Sequence, residues 1–415
     1  MTIDVLSVRA QAQVVNDILR ERLDTLLPML MRETGFDMWI IVCNEDNYDP
    51  VFTTITPWEV WAPILQMIVF FDRGEDHGVD RLNISITDLG DLMTPSWNLD
   101  ADLDQWETLR HVVAERDPRR IAINQSETIW AAYGLTATLR AKLEAALDKP
   151  YGARLESAET LATRWLETRL PRELALYEQA CAIAHQVIAS QFSRSVITPG
   201  ATTIDDLRWS YWQAVTDLGL PLSFPAFYRL ERSAEARSTY GDSQVIQPGD
   251  LLHCDVGLKY LRLITDHQEM AYVLRPGEVD APQGLRDGIA EANRLQDVFV
   301  GCWEEGASGN EILERALVAA RAAKISKPKI YSHSLSHFLH EPGPLMGLPW
   351  EQRNTGGRGD VRMHYNTCYT VELSVTRPVP EWNGEDVTFA LEQDASFTRD
   401  GVTFIDGRQT TLHLV

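Results

Sequence analysis

The sequence predicts a two-domain chain of mixed α and β structure, and three observations carry that expectation. The chain has 415 residues, more than one ordinary hydrophobic core serves, so two domains are expected. Its first part alternates short apolar runs with helix-forming stretches, the pattern of an α/β domain with a mixed or parallel sheet. Its second part contains strand-like runs that each carry one carboxylate: Asp255, Asp266, Glu372 and Glu392.

In the first part, Val14, Ile18, Leu23, Leu26 and Leu30 recur at roughly helical spacing, and Gly35 stands where such a helix would stop. Residues 38–43, 67–71 and 121–124 read as strands, the second ending in the turn signal Asp72-Arg73-Gly74. A further helix is expected over residues 135–147. Trp39, Tyr48, Trp58 and Trp61 suit core or interface packing. No nucleotide-binding glycine fingerprint follows any of these strands, and no catalytic constellation is legible before about residue 160.

Residues 155–192 are charged and helix-forming, with Pro171 placed to end one helix and open the next. The join is expected there, giving domains of residues 1–165 and 166–415. Thr203-Ile204-Asp205-Asp206 resembles a capping box with Asp in place of Glu. Pro248-Gly249 turns the chain into two strand-like runs, residues 251–256 and 263–273. Paired as a hairpin, these runs would set Asp255 opposite Asp266 on one face. Like charges so placed repel, so either a cation lies between them or they are solvated; taken by themselves they read as a solvated pair. Residues 285–303 and 310–323 read as amphipathic helices.

Composition narrows the class. A formal charge of −22 and a pI near 4.8 argue against nucleic acid or an anionic membrane surface as partner. The five cysteines, Cys43, Cys181, Cys254, Cys302 and Cys368, are scattered with no CxxC pair, which speaks against a disulfide scaffold or a structural zinc site. The first residues lack a secretory pattern, and no uncharged apolar run reaches the length of a membrane span. A cytoplasmic setting is the expectation.

Three segments after the helices shift the reading of the hairpin. His333, His337 and His340 lie within eight residues, Glu372 sits in a β-branched run, and Glu392 sits in another. A lone strand carboxylate is usually on the wet face, but four of them with a histidine segment form the ligand chemistry of divalent manganese, cobalt, iron or zinc. Two such ions bridged by carboxylates would neutralise the cluster and activate a water.

The ordered set is similar to that of the pita-bread metallopeptidase family, which takes in methionine aminopeptidase, aminopeptidase P, prolidase and the non-peptidase creatinase. Asp255-Val256-Gly257 matches its D-x-G step, and Asp266 follows at the family's interval. His333 precedes the His340-Glu341 step by seven residues, Thr370-Val371-Glu372 matches T-x-E, and Glu392 completes the set. The first domain, the join around Pro171 and the stretches VITPGATTIDDL and VIQPGDLLHCDVG resemble creatinase, aminopeptidase P and prolidase as well.

The resemblance implies an α+β architecture: a C-terminal pita-bread domain, with a curved antiparallel sheet and flanking helices, after a smaller creatinase-type α/β domain. It implies two divalent metal ions, manganese first, with cobalt, zinc or iron as alternatives. Asp255 would hold one ion, His333 and Glu372 the other, and Asp266 with Glu392 would bridge both. His340 would contact substrate or stabilise the tetrahedral intermediate, with His337 beside it as a substrate-binding residue, and Glu372 would shuttle the proton.

The chain departs from the family at named positions. The further histidine of the peptidases would fall at Ser238, the usual Thr-Arg after the second Asp is Gln268-Glu269, and His337 is an extra imidazole. These changes point to a modified pocket with every presumed ligand kept. The expected activity is that of an Xaa-Pro aminopeptidase or dipeptidase acting on a small peptide, as a homodimer or higher homo-oligomer. The alternatives are a creatinase-like C–N hydrolase or lyase on a small non-peptide molecule, for which Arg229, Arg232 and Arg237 could receive a carboxylate, and a non-enzymatic binding protein on the same fold.

Overall fold

A computed structural model describes residues 3–58 and 60–415. The chain divides into two compact units, residues 6–168 and residues 169–415, the latter joined by the first few residues.

The first unit is built on a six-stranded mixed sheet in the order Thr94–Pro95, Val79–Asn83, Leu65–Asp72, Met38–Asn44, Ile121–Ile123, Leu155–Ser157. Met38–Asn44 pairs antiparallel with Leu65–Asp72 and parallel with Ile121–Ile123, so the sheet is mixed. The expected opening helix is longer than its apolar spacing showed. It runs through Val8–Glu21 and Leu27–Thr34, joined by a π-turn at Arg22–Leu26, and stops at Gly35 with φ of 73°. Pro28 lies in the second segment; it has no N–H to give back, and the wider turn before it shifts the ladder, with the Leu27 N–H reaching the Arg22 carbonyl.

In the second unit Pro171 opens the helix Pro171–Gln191 at its first position. The capping box at Thr203 forms as read, the Asp206 side chain accepting from the Thr203 N–H at 2.8 Å. A four-stranded sheet runs His413–Leu414, His267–Tyr272, Leu251–Val256, Phe227–Glu231. A seven-stranded antiparallel sheet runs Glu385–Leu391, Glu372–Val379, Lys329–Ser334, Thr367–Thr370, Asp394–Thr398, Gly401–Phe404, with Glu341–Met346 alongside Lys329–Ser334. A bridge between Gln268 and Glu392, bonded in both directions at 3.1 and 3.0 Å, stitches the two together. This is the curved sheet that the resemblance implies.

Helices Gln283–Val300 and Gly309–Ala322 cover the sheet with Leu285, Ile289, Leu295, Phe299, Ile312 and Leu313, against Val375, Phe389 and Leu391. Gly288 lets the first helix lie close: a Cβ there would stand 2.2 Å from the Phe389 ring.

The central hairpin corrects the expected register. Asp255 faces Gln268, not Asp266. The connection folds a ribbon of its own, Lys259–Tyr260 against Leu263–Ile264, around Leu261 and Arg262, both left-handed at φ of 53° and 65°. That ribbon takes up residues that a simple hairpin would pair, and Asp266 falls just before the second strand. Two residues from Gln268, it becomes the diagonal neighbour of Asp255 on the same face.

Candidate metal centre

Five strands bring the expected ligands to one place. Asp255 is last but one in the strand Leu251–Val256, Asp266 precedes His267–Tyr272, His333 lies in Lys329–Ser334, and Glu372 opens Glu372–Val379. Glu392 follows Glu385–Leu391 directly. His333 sits at a register shift between Ser332 and Ser334, a bulge of the kind that re-aims a side chain beside a site. Asp266, His333 and Glu392 are buried, whereas Asp255 and Glu372 are half-buried.

The imidazole is in the form a metal ligand needs. His333 Nδ1 lies 3.2 Å from the Ser334 carbonyl, which can only accept, so the proton belongs on Nδ1 and Nε2 carries the lone pair. Nε2 faces Asp266 Oδ2 at 3.6 Å and Glu392 Oε1 at 3.8 Å. These are acceptors facing acceptors, and among the described residues no donor satisfies Asp266 Oδ1 or Glu392 Oε1.

The electrostatics agree. Burial pushes Asp255 up to about 6 against the pull of Arg229, and burial with the Asp255 charge pushes Glu372 up to about 8. Burial and the neighbouring carboxylates hold Asp266 and Glu392 well above the usual carboxylate range. Burial and the neighbouring His340 hold His333 well below the usual imidazole value. Four carboxylates that obstruct one another's ionisation beside a neutral imidazole lack positive charge, and divalent cations fit that donor set.

His340 stands against His333 with ring centroids 4.5 Å apart, at a left-handed φ of 54°. Burial and Arg358 lower its pKa. His337 goes elsewhere: its Nε2 is 2.9 Å from Arg169 Nη1, and its backbone N–H donates to Glu341 Oε1 at 3.1 Å. A cleft of about 180 Å³ opens beside Glu372, lined also by Gln268, Tyr331, Arg229 and Lys329; its lining includes neither His337 nor His340.

Sequence reasoning gave no role to Gln268 or His253. Gln268 Nε2 donates to Glu372 Oε1 at 2.8 Å and Glu392 Oε2 at 2.7 Å, while its Oε1 meets His253 Nε2 at 2.9 Å. The two carboxylates fix the amide orientation, and the amide fixes the proton of His253 on Nε2. His253 stands two residues before Asp255 on the same strand face, and that period-two spacing is the signal that could have found it. Ser238, at the place of the peptidases' further histidine, lies exposed on helix Ala234–Tyr240 and donates to the Glu235 carbonyl at 2.6 Å.

Residues 175–404, more than half of the chain, match the model of metallopeptidase family M24. The chain belongs to that family. No curated protein sequence matches. Among solved structures, an X-Pro aminopeptidase from Thermotoga maritima is similar with a TM-score of 0.65 at 13% identity, over 93% of this chain and 100% of that one. An Xaa-Pro dipeptidase from Bacillus anthracis gives 0.61 at 15% identity, over 97% and 100%. The N-terminal domain of the FACT complex subunit SPT16 from chickpea gives 0.60 at 9% identity, over 96% and 99%. At these identities the likeness is one of fold, the M24 pita-bread fold, shared by proteins described as peptidases and by a complex subunit. Among the described residues, no helix is long and apolar enough to cross a membrane.

Proposed function

We propose that this M24 protein is a dinuclear-metal-dependent hydrolase of the Xaa-Pro aminopeptidase or dipeptidase type, acting on the amide of a small peptide. The observation that carries the reading is the convergence of Asp255, Asp266, His333, Glu372 and Glu392, with His333 Nε2 facing Asp266 and Glu392 and, among the described residues, no donor for Asp266 Oδ1 or Glu392 Oε1. Asp255 would hold one ion, His333 and Glu372 the other, with Asp266 and Glu392 shared. Bound divalent ions, manganese first and cobalt, zinc or iron in its place, would supply Lewis-acid polarisation of the scissile carbonyl and a lowered pKa for the attacking water.

The chain's own groups do the rest. Glu372 lines the cleft and can accept the proton of the nucleophile and return it to the leaving nitrogen. Gln268 holds one oxygen of each glutamate and leaves the others turned to the centre. His340, whose ring packs against His333, would meet the developing oxyanion. Arg229 and Lys329 give the cleft positive charge suited to a substrate carboxylate. A homodimer or higher homo-oligomer in the cytoplasm belongs to the same reading.

Metal analysis of purified protein, with a screen of Xaa-Pro dipeptides and longer Xaa-Pro peptides plus manganese or cobalt, tests it. Two ions per chain at this cluster, cleavage of a peptide, and loss of both turnover and one ion in Glu372→Gln are expected. Cleavage of creatine-like amides or another non-peptide, with every peptide left intact, would replace it by the second reading. That reading, a creatinase-like C–N hydrolase or lyase, is favoured by Ser238, which stands exposed where the peptidases have their further histidine, and by Arg229 in the cleft. A protein that takes up no transition ion after reconstitution is neither enzyme.

A further inference from the structure

The pleat that sends Asp255 and Gln268 to the hydrolytic cluster sends His267 and Glu269 to the other face of the hairpin. Behind the sheet, His267 meets Cys181 of helix Pro171–Gln191 and Asp394 of strand Asp394–Thr398. One ligand atom of each lies within 4.8 Å of the other two, and all three residues are buried. Cys181 Sγ is 3.5 Å from Asp394 Oδ2, and His267 Nε2 is 4.0 Å from the same oxygen.

The polar groups here are poorly satisfied. His267 is fully buried, yet among the described residues neither ring nitrogen has a hydrogen-bond partner, and Asp394 Oδ1 has none. Asp394 Oδ2 takes the Asp266 backbone N–H at 3.3 Å. A buried imidazole and a buried carboxylate oxygen without partners are costly unless something absent from the protein's own hydrogen-bonding pays them back.

We propose that Cys181, His267 and Asp394 form a second metal centre, which binds a zinc-class divalent ion through thiolate, imidazole and carboxylate. Sulfur, nitrogen and oxygen donors together are the set that zinc and cobalt favour, unlike the carboxylate-rich cluster in front. Around a tetrahedral ion such donors stand about 3.3–3.6 Å apart, near the two separations seen here. On binding, the Cys181 S–H bond breaks, its proton leaves to solvent, and the sulfur lone pair joins the ion. His185 stands between the triad and a cleft of about 300 Å³ that it lines with Glu269, Asp406 and His413. Its ring is 4.5 Å from that of His267, and its Nδ1 is held by Asp406 at 2.8 Å. The centre stiffens the backbone on which Asp266 and Glu392 are carried, since His267 and Asp394 are their near neighbours. It does not rest on the hydrolase reading.

Cobalt(II) titration of the full-length protein tests the assignment. A thiolate ligand produces a near-ultraviolet sulfur-to-cobalt charge-transfer band that carboxylates and imidazole alone do not give. We expect such a band to saturate at the intensity of one cobalt–thiolate bond per chain, to persist in Glu372→Gln and to vanish in Cys181→Ser. Zinc-loaded Cys181→Ser should carry one ion per chain less than the parent by elemental analysis, and His267→Gln should weaken the band without removing the thiol. Absence of the band from the unsubstituted protein at saturating cobalt overturns the proposal, whether or not any variant folds. So does a band, or a metal content, unchanged in Cys181→Ser. Failure of the front cluster to hydrolyse anything would leave these readouts untouched.

Discussion

Gln268 replaces the family's usual threonine with a longer side chain that reaches two glutamates at once, and His253 pins its other end. Truncation to Gln268→Leu leaves the His253 Nε2–H and one oxygen on each glutamate without their partner. An unsatisfied buried group costs about 1–3 kcal/mol, so the variant should lose roughly 2 kcal/mol or more in chemical denaturation. Residues that orient metal ligands typically matter about 10–100-fold in metal affinity, and calorimetric titration with manganese should show a loss of that order. An unchanged Kd would mean that Gln268 merely fills space. The five expected ligands were read from their order: Asp255 with Gly257, Asp266 eleven residues after it, His333 seven before His340, Glu372 with Thr370, and Glu392 twenty residues on. Gln268 was legible only as a departure and His253 not at all, since their role depends on which strand pairs with which.

At the scale of elements, the hairpin shows why register escaped the sequence. Residues 263–273 read as one strand by their apolar content, but Leu261 and Arg262 take left-handed conformations that no glycine or asparagine announced. The segment after helix Gly309–Ala322 likewise read only as a histidine-rich stretch. Its first half is the strand Lys329–Ser334, where His333 is buried at a bulge. The helices were easier, because apolar spacing and caps are local: Thr136, Thr203 and Ser308 each cap the helix that follows. Close packing is non-local, and Gly288 is the instance to test. Alanine gains about 1 kcal/mol of helix propensity over glycine. Here its methyl would enter the Phe389 ring, and overpacking of this kind costs about 1–3 kcal/mol. Gly288→Ala should therefore lower the denaturation midpoint, and Gly288→Ala with Phe389→Leu should lose less than the two single changes summed. A more stable Gly288→Ala would show that the helix is free to move off the strand.

For the whole molecule, the metal centre makes stability depend on pH in a way that metal should reverse. An unfolded carboxyl titrates near about 4. Glu372 is raised to about 8 in the folded metal-free protein, and burial holds Asp266, Glu392 and Asp394 well above the usual carboxylate range too. A group with a raised folded pKa contributes stability that is complete below its unfolded pKa and is lost as pH climbs through the folded one. Buried histidines work the other way: His253, lowered to about 3, and His333, also lowered, cost stability only as pH falls below about 6.5. Above about pH 7 the imidazoles are neutral folded or unfolded and add no slope. Cys181, Cys254 and Cys368, all raised by burial, add loss of the same sign near the top of the range. Chelator-treated protein should thus melt at progressively lower temperature from about pH 7 to about pH 8.5. A bound cation needs the carboxylates ionised, so its affinity rises with pH across the same interval and protons are released on binding. With ion at about 100 times its Kd, the folded state gains about 2.7 kcal/mol. Thermal unfolding with chelator and with manganese, at matched ionic strength, should show the two Tm curves diverging with pH, the metal-loaded one flat or rising. Parallel curves would mean that the carboxylates at the front of the sheet do not bind the ion as their ionised forms, and the dinuclear reading would fall with them.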